Sequence, residues 1–196
     1  MKKLVLLSVI LLVVTSYAFA GPFGLEMGMN LDEITKACGG VRPERLENDD
    51  RYLISPTKNH PDFEYYLVFV DNNKGLYCIR AISSEIKTTQ YGTELKSFFH
   101  EMTERLSKTY GKPKIYDEIK EDALFKRDEW WMMSLSDGSR TLASVWNESS
   151  GTLPKDLDYV DLYASTRKYS HNEGYLILEY GFINHEEVKN SQDDVF

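Results

Sequence analysis

The chain has 196 residues, 42% of them hydrophobic, with 13 Tyr, 9 Phe and 3 Trp. That supply suffices for a packed core, and a content of only 6 Pro and 12 Gly excludes a disordered linker protein. The formal charge of −8 disfavours nucleic acid and anionic lipid surfaces, which need clustered Lys and Arg; it suits solubility and a basic protein partner.

Lys2 and Lys3 precede an apolar run from Leu4 to Val14, and Ala18-Phe19-Ala20 fits the small-x-small rule of signal peptidase. Residues 1–20 are therefore expected to be a signal peptide, cleaved after Ala20 to leave Gly21 first. The run is too short for a permanent span, and no cysteine follows the cleavage site to take a lipid. The expected location is periplasmic or secreted, with no stable membrane anchor. Loss of Lys2 and Lys3 takes the charge from −8 to −10.

A helix is predicted after Asn30, with Glu33 as the reciprocal capping partner and Gly39-Gly40 as its stop. Strands follow at Arg51–Ile54, Phe63–Val70 and Leu76–Ser83, the last two forming a hairpin over Asp71-Asn72-Asn73-Lys74-Gly75. The clearest helix runs from Thr93 to Tyr110. Leu95, Phe98, Phe99, Met102, Leu106 and Tyr110 make one stripe, while Glu101–Arg105 and Glu104–Lys108 make charge pairs on the wet side. Glu129–Ser136 and Arg140–Asn147 read as a second hairpin around Asp137-Gly138. Asp158–Ser165 and Tyr175–Ile183 read as strands, and a short helix is expected after Asn184.

The expected class is α+β, with antiparallel sheet and helices packed on one face. The order suggests a helix followed by a meander, twice: one unit at 21–90 and one at 91–196, or one continuous domain.

Two segments carry a family resemblance. Gly28-Met29-Asn30-Leu31-Asp32-Glu33-Ile34 resembles the opening of BamE/SmpA-like periplasmic domains, and Tyr110-Gly111-Lys112-Pro113 is similar to their helix exit. The secreted β-lactamase inhibitor protein carries that fold as a tandem pair. The resemblance covers about a tenth of the chain and implies a non-catalytic scaffold that binds other proteins; fold analogy alone does not establish a role. The lipidated cysteine of the outer-membrane assembly lipoproteins is missing here.

Cys38 and Cys78 permit one disulfide, closing a loop whose entropy is worth roughly 3–4 kcal/mol. Strand parity weighs against it. Cys78 shares a face with Arg80, whereas Cys38 lies on the apolar side of its helix. Buried free thiols are the competing expectation.

The other chemical signals point to structure. His100 and Glu104 lie one turn apart without an identifiable third metal ligand. His185-Glu186-Glu187 lacks the second His of a zinc-protease helix. Asp156, Asp158 and Asp161 are too loosely spaced for a calcium loop. No cofactor and no catalytic residue is assigned. Aromatics are the interaction candidates. If Glu129–Ser136 is a strand, Trp130 and Met132 stand on an uncovered sheet face, and Tyr65 and Tyr66 raise the same question. The leading functional expectation is protein binding of an inhibitor, immunity or envelope-factor type; the alternative is an envelope hydrolase whose catalytic groups are scattered in sequence.

Overall fold

A computed structural model describes residues 21–188, apart from 47–49, 152 and 169. The expected signal peptide and cleavage point lie outside the described residues. The first helix, α1 (Leu31–Ala37), starts as its spacing predicts. The Asn30 side chain accepts from the Asp32 and Glu33 amides at 3.0 Å, and Glu33 accepts from the Asn30 amide at 2.9 Å. Strands β1 (Glu44–Arg45), β2 (Arg51–Ile54), β3 (Phe63–Asp71) and β4 (Gly75–Ser83) follow as an antiparallel meander. After a short β5 (Ile86–Lys87) comes α2 (Thr93–Tyr110), and then β6 (Lys114–Ile119), α3 (Trp131–Ser136), β7 (Arg140–Trp146), β8 (Leu157–Ser165) and β9 (Glu173–Phe182).

The strand order is β1-β2-β3-β4-β9-β8-β7-β6, all antiparallel, with β5 paired to β9. The fold is α+β. Each half is a helix followed by a four-stranded meander, and the last strands of the two halves, β4 and β9, pair at the centre of one continuous sheet. One face carries the main core. There Val68, Ile79, Ala81, Leu142, Leu162 and Leu178 meet Ile34 of α1, Leu95 and Phe99 of α2, and Trp131 and Met132 of α3. A buried hydrogen bond of 3.0 Å between the Thr103 and Ser144 hydroxyls ties α2 to β7.

Two expectations need correction here. Glu129–Ser136 is not a strand: a 3₁₀ turn at Asp128–Trp130 runs into α3. Trp131, Met132 and Leu135 are buried at helical spacing. The Trp131 ring lies against Gly92, the left-handed residue that opens α2; a Cβ there would stand 2.3 Å from the ring. The Asp137-Gly138 turn therefore joins a helix to a strand. Lys114–Ile119, on the other hand, is the outermost strand of the second meander and pairs with β7.

The cysteines are both buried free thiols, not a disulfide. They belong to separate apolar clusters, Cys38 with the main core and Cys78 with Tyr77, Val188 and Phe69 on the other face. A bulge explains Tyr77. Phe69 pairs with Cys78 and Val70 with Leu76, so the extra residue Tyr77 turns away from the core.

Candidate functional site

Alternation along the central strands sends every second side chain to the face opposite the helices. There the sheet register builds three rows across the strands. The middle row reads Leu67, Arg80, Glu179, Asp161, Val145 and Lys114 in directly opposed pairs. One flanking row is Phe69, Cys78, Gly181 and Tyr159; the other is Tyr65, Ile82, Ile177, Tyr163, Ala143 and Tyr116. A charged centre thus sits between aromatic margins.

The charges are organised by specific bonds. Arg80 donates to Glu179 Oε2 through Nε at 2.7 Å and contacts the same oxygen through a terminal nitrogen at 2.6 Å. Its guanidinium lies over the Phe69 ring, 5.1 Å from the centroid. Tyr159 donates to Glu179 Oε1 at 2.9 Å. Asp161 stands directly across from Glu179, and its Oδ1 is buried without a hydrogen-bond partner. Burial, then the neighbouring Glu179 carboxylate, pushes the Asp161 carboxyl up to about 6. Burial likewise pushes the Tyr163 hydroxyl up to about 12, and raises the Cys78 thiol, making it a poor nucleophile at neutral pH.

The last described residues cover one corner of this face. The helical turn at 185–188 puts His185 in a stack on Tyr77, at 5.8 Å and 27°, and edge-on to Tyr159, and it buries Val188 against Tyr77 and Cys78. Glu187 pairs with Lys74. Tyr77 also donates to Asp50.

Gly181 makes room for Tyr159. A Cβ at Gly181 would fall 2.0 Å from the Tyr159 ring. The Gly181→Ala variant is expected to lose about 1 kcal/mol by overpacking, the low end because a sheet-surface ring can swing aside. Its Tyr159 hydroxyl should leave Glu179. Tyrosine side-chain NMR together with urea unfolding would read both, and an unmoved Tyr159 would contradict the packing described.

The aromatics singled out from the sequence divide. Tyr65 is 49% exposed on this face. Tyr66 points the other way into the core, where its hydroxyl donates to the His60 carbonyl at 3.1 Å and accepts from the His60 amide at 2.7 Å. Met132 is wholly buried. Trp130 is 39% exposed but lies outside the sheet, edge-on to Phe125 at 5.2 Å and beneath the Arg127 guanidinium. The Trp130–Met132 pairing on one open face is therefore corrected. Arg80, Tyr159, Tyr163 and Glu179 were not singled out. The signal available was the alternation of Tyr159, Asp161 and Tyr163, which puts all three on one side.

A cleft of about 490 Å³ lies between the start of α1 and the β3–β4 turn, lined by Asn30, Asp32, Tyr52, Asp71 and Asn73. Its leading polar groups serve the fold: Asn30 caps α1, and Asp71 accepts from the Asn73 and Lys74 amides, both at 2.8 Å. Among the described residues no group of three His, Cys, Asp or Glu side chains converges on a point that could hold a metal. Also among the described residues, no helix is long and apolar enough to cross a membrane. No family model, curated protein or solved structure matches this chain.

Proposed function

We propose that the chain is an exported, non-catalytic protein-binding module that docks through the sheet face opposite α1, α2 and α3, beyond the corner covered by the turn at 185–188. The observation carrying this reading is the aromatic margin of that face, Tyr65, Phe69, Tyr163 and Tyr116, around the Arg80–Glu179–Asp161 centre. Rigid aromatics around a few polar groups suit a protein interface, because they bury large area at small cost in side-chain entropy. The negative charge of the chain would steer a basic partner. The charged, apolar, then small-x-small opening supports export to an envelope or extracellular compartment. The resemblance of the α1 opening and of the α2 exit to BamE/SmpA-like domains points the same way.

A carboxylate acid–base pair at this face would need a second free group beside Asp161. Both oxygens of Glu179 are already engaged, by Arg80 and by Tyr159, which favours docking over catalysis.

Photo-crosslinking in the native host would test the proposal. A crosslinker at Tyr65 or Tyr163 should capture one protein, while one at Lys108, on the wet side of α2, should not. The captured product should carry Gly21 at its N-terminus. Equal capture from both positions, or none, would overturn the docking surface, and an intact residue 1 would overturn export.

A further inference from the structure

The open face leaves one of its two central carboxylates with no cation bonded to it. Arg80 is a single cation facing two carboxylates, and its bonds go to Glu179. Asp161 gets no such partner: its Oδ1 is buried and unbonded. A buried acceptor without a donor costs free energy, so its retention calls for a physical reason. Asp161 as a whole is only partly buried and its Oδ2 is not shut in as Oδ1 is, so a group arriving at the face meets the carboxylate at Oδ2. Tyr159 and Tyr163, two residues away on either side along β8, flank it on the same face. Aromatic faces beside a lone carboxylate are the surroundings a guanidinium or ammonium favours, combining a charge-assisted hydrogen bond with cation–π contact.

Resting on the docking reading above, we infer that Asp161, between Tyr159 and Tyr163, is the subsite that receives an arginine or lysine side chain of the partner. The incoming cation bonds the carboxylate through Oδ2 and gives Asp161 the charge partner that Arg80 gives Glu179. The groups facing Asp161 are Glu179 of β9, Arg80 and Cys78 of β4, and Tyr159 and Tyr163 of its own strand. Beyond Val145 the row ends at Lys114 of β6, and His185 closes the far side of Tyr159. Arg80 is held by Glu179, and Lys114 lies over the Tyr116 ring, 4.6 Å from its centroid, so neither fills the subsite.

The probe is tetra-arginine amide, with the neutral isostere tetra-citrulline amide as control, titrated into the ¹⁵N-labelled protein from Gly21 onward at pH 7.5. The arginine peptide should shift the backbone amides of 159–163 and 177–181, and the citrulline peptide should not. Asp161→Asn should weaken binding about tenfold, the worth of one charge-assisted hydrogen bond. Glu104→Gln, on the wet side of α2, should leave it unchanged. Binding to the wild type should fade as pH drops through 6. Shifts spread over other acidic surface, equal binding by Asp161→Asn, or equal response to citrulline would each overturn the subsite. A crosslinked partner that still docks on Asp161→Asn with undiminished affinity would overturn it too, yet leave the docking face standing.

Discussion

Trp146→Ala is expected to destabilise the protein by about 4 kcal/mol, within the usual cost of deleting a buried aromatic. Trp146 ends β7 with no exposed surface. Its indole N–H donates to the Gly111 carbonyl at 2.8 Å, just past the end of α2, and its ring meets Tyr110 edge-on at 6.5 Å. The side chain thus fixes where the long helix stops against the sheet. Truncation removes the largest fully buried side chain, leaves a cavity, and deprives the Gly111 carbonyl of its donor. Gly111 as a residue is only partly buried, so water can reach this stretch, and most of the loss comes from packing. Trp146→Phe separates the two contributions, because it restores much of the volume and none of the hydrogen bond; about 2 kcal/mol should return. Urea unfolding checks this: the midpoint should fall with the slope unchanged. A loss below 1 kcal/mol for the alanine variant would mean that α2 is anchored elsewhere.

The elements readable from sequence were those whose pattern has one solution. The α2 stripe repeats over 18 residues, and its Leu95, Phe99, Met102 and Tyr110 are buried as the spacing requires. The β3–β4 hairpin is fixed by two apolar runs around a five-residue polar turn. Residues 129–136 offered no such constraint. In so short a stretch, Trp131, Met133 and Leu135 fit a strand while Trp131, Met132 and Leu135 fit a helix, and the packing of Trp131 over Gly92 beside α2 goes with the helix. Lys114–Ile119 escaped notice because an outermost strand paired on one side buries little; its charges at Lys114, Asp117 and Glu118 blunt the edge and erase the apolar signal.

The candidate site was legible only in fragments, for a topological reason. Arg80 comes from the first helix-plus-meander unit, and Asp161 and Glu179 come from the second. Only the antiparallel pairing of β4 with β9 sets Arg80 opposite Glu179 across 99 residues of chain. Neither unit has the row alone. A register slip of one residue between β4 and β9 would send Arg80 into the core face. The apolar residues on either side of Arg80, Ile79 and Ala81, hold that register because both are buried against the helices. Packing on the covered face therefore specifies the chemistry of the uncovered one.

Replacing Asp161 with Asn is expected to make the protein more stable at pH 7.5, by about 2 kcal/mol. The folded carboxyl titrates near 6, against 3.8 in the unfolded chain, because burial and Glu179 disfavour its charge. The full shift corresponds to about 3 kcal/mol, reduced here because water screens a partly exposed group. The sign follows from proton binding. Below pH 3.8 both states hold the proton and Asp161 costs nothing. Between 3.8 and about 6 the folded state keeps a proton that the unfolded state has released, so stability falls as pH rises. Above 6 both states are ionised and the penalty is complete. The gap between Asp161→Asn and wild type should therefore open across that window and stay level above it. Groups with depressed pKa values act oppositely; Glu94, held low first by its bond from Thr88, contributes stability that is lost on acidification. Taking the difference between the two proteins cancels those contributions. Chemical denaturation at half-unit steps from pH 4 to 8 measures it. A gap that is constant with pH would place the Asp161 carboxyl at its ordinary value, with no charge stored at the face. A gap that opens as described, together with a loss of cation binding in the same variant, would show a residue kept at the expense of stability, as expected where binding and not folding is what the side chain serves.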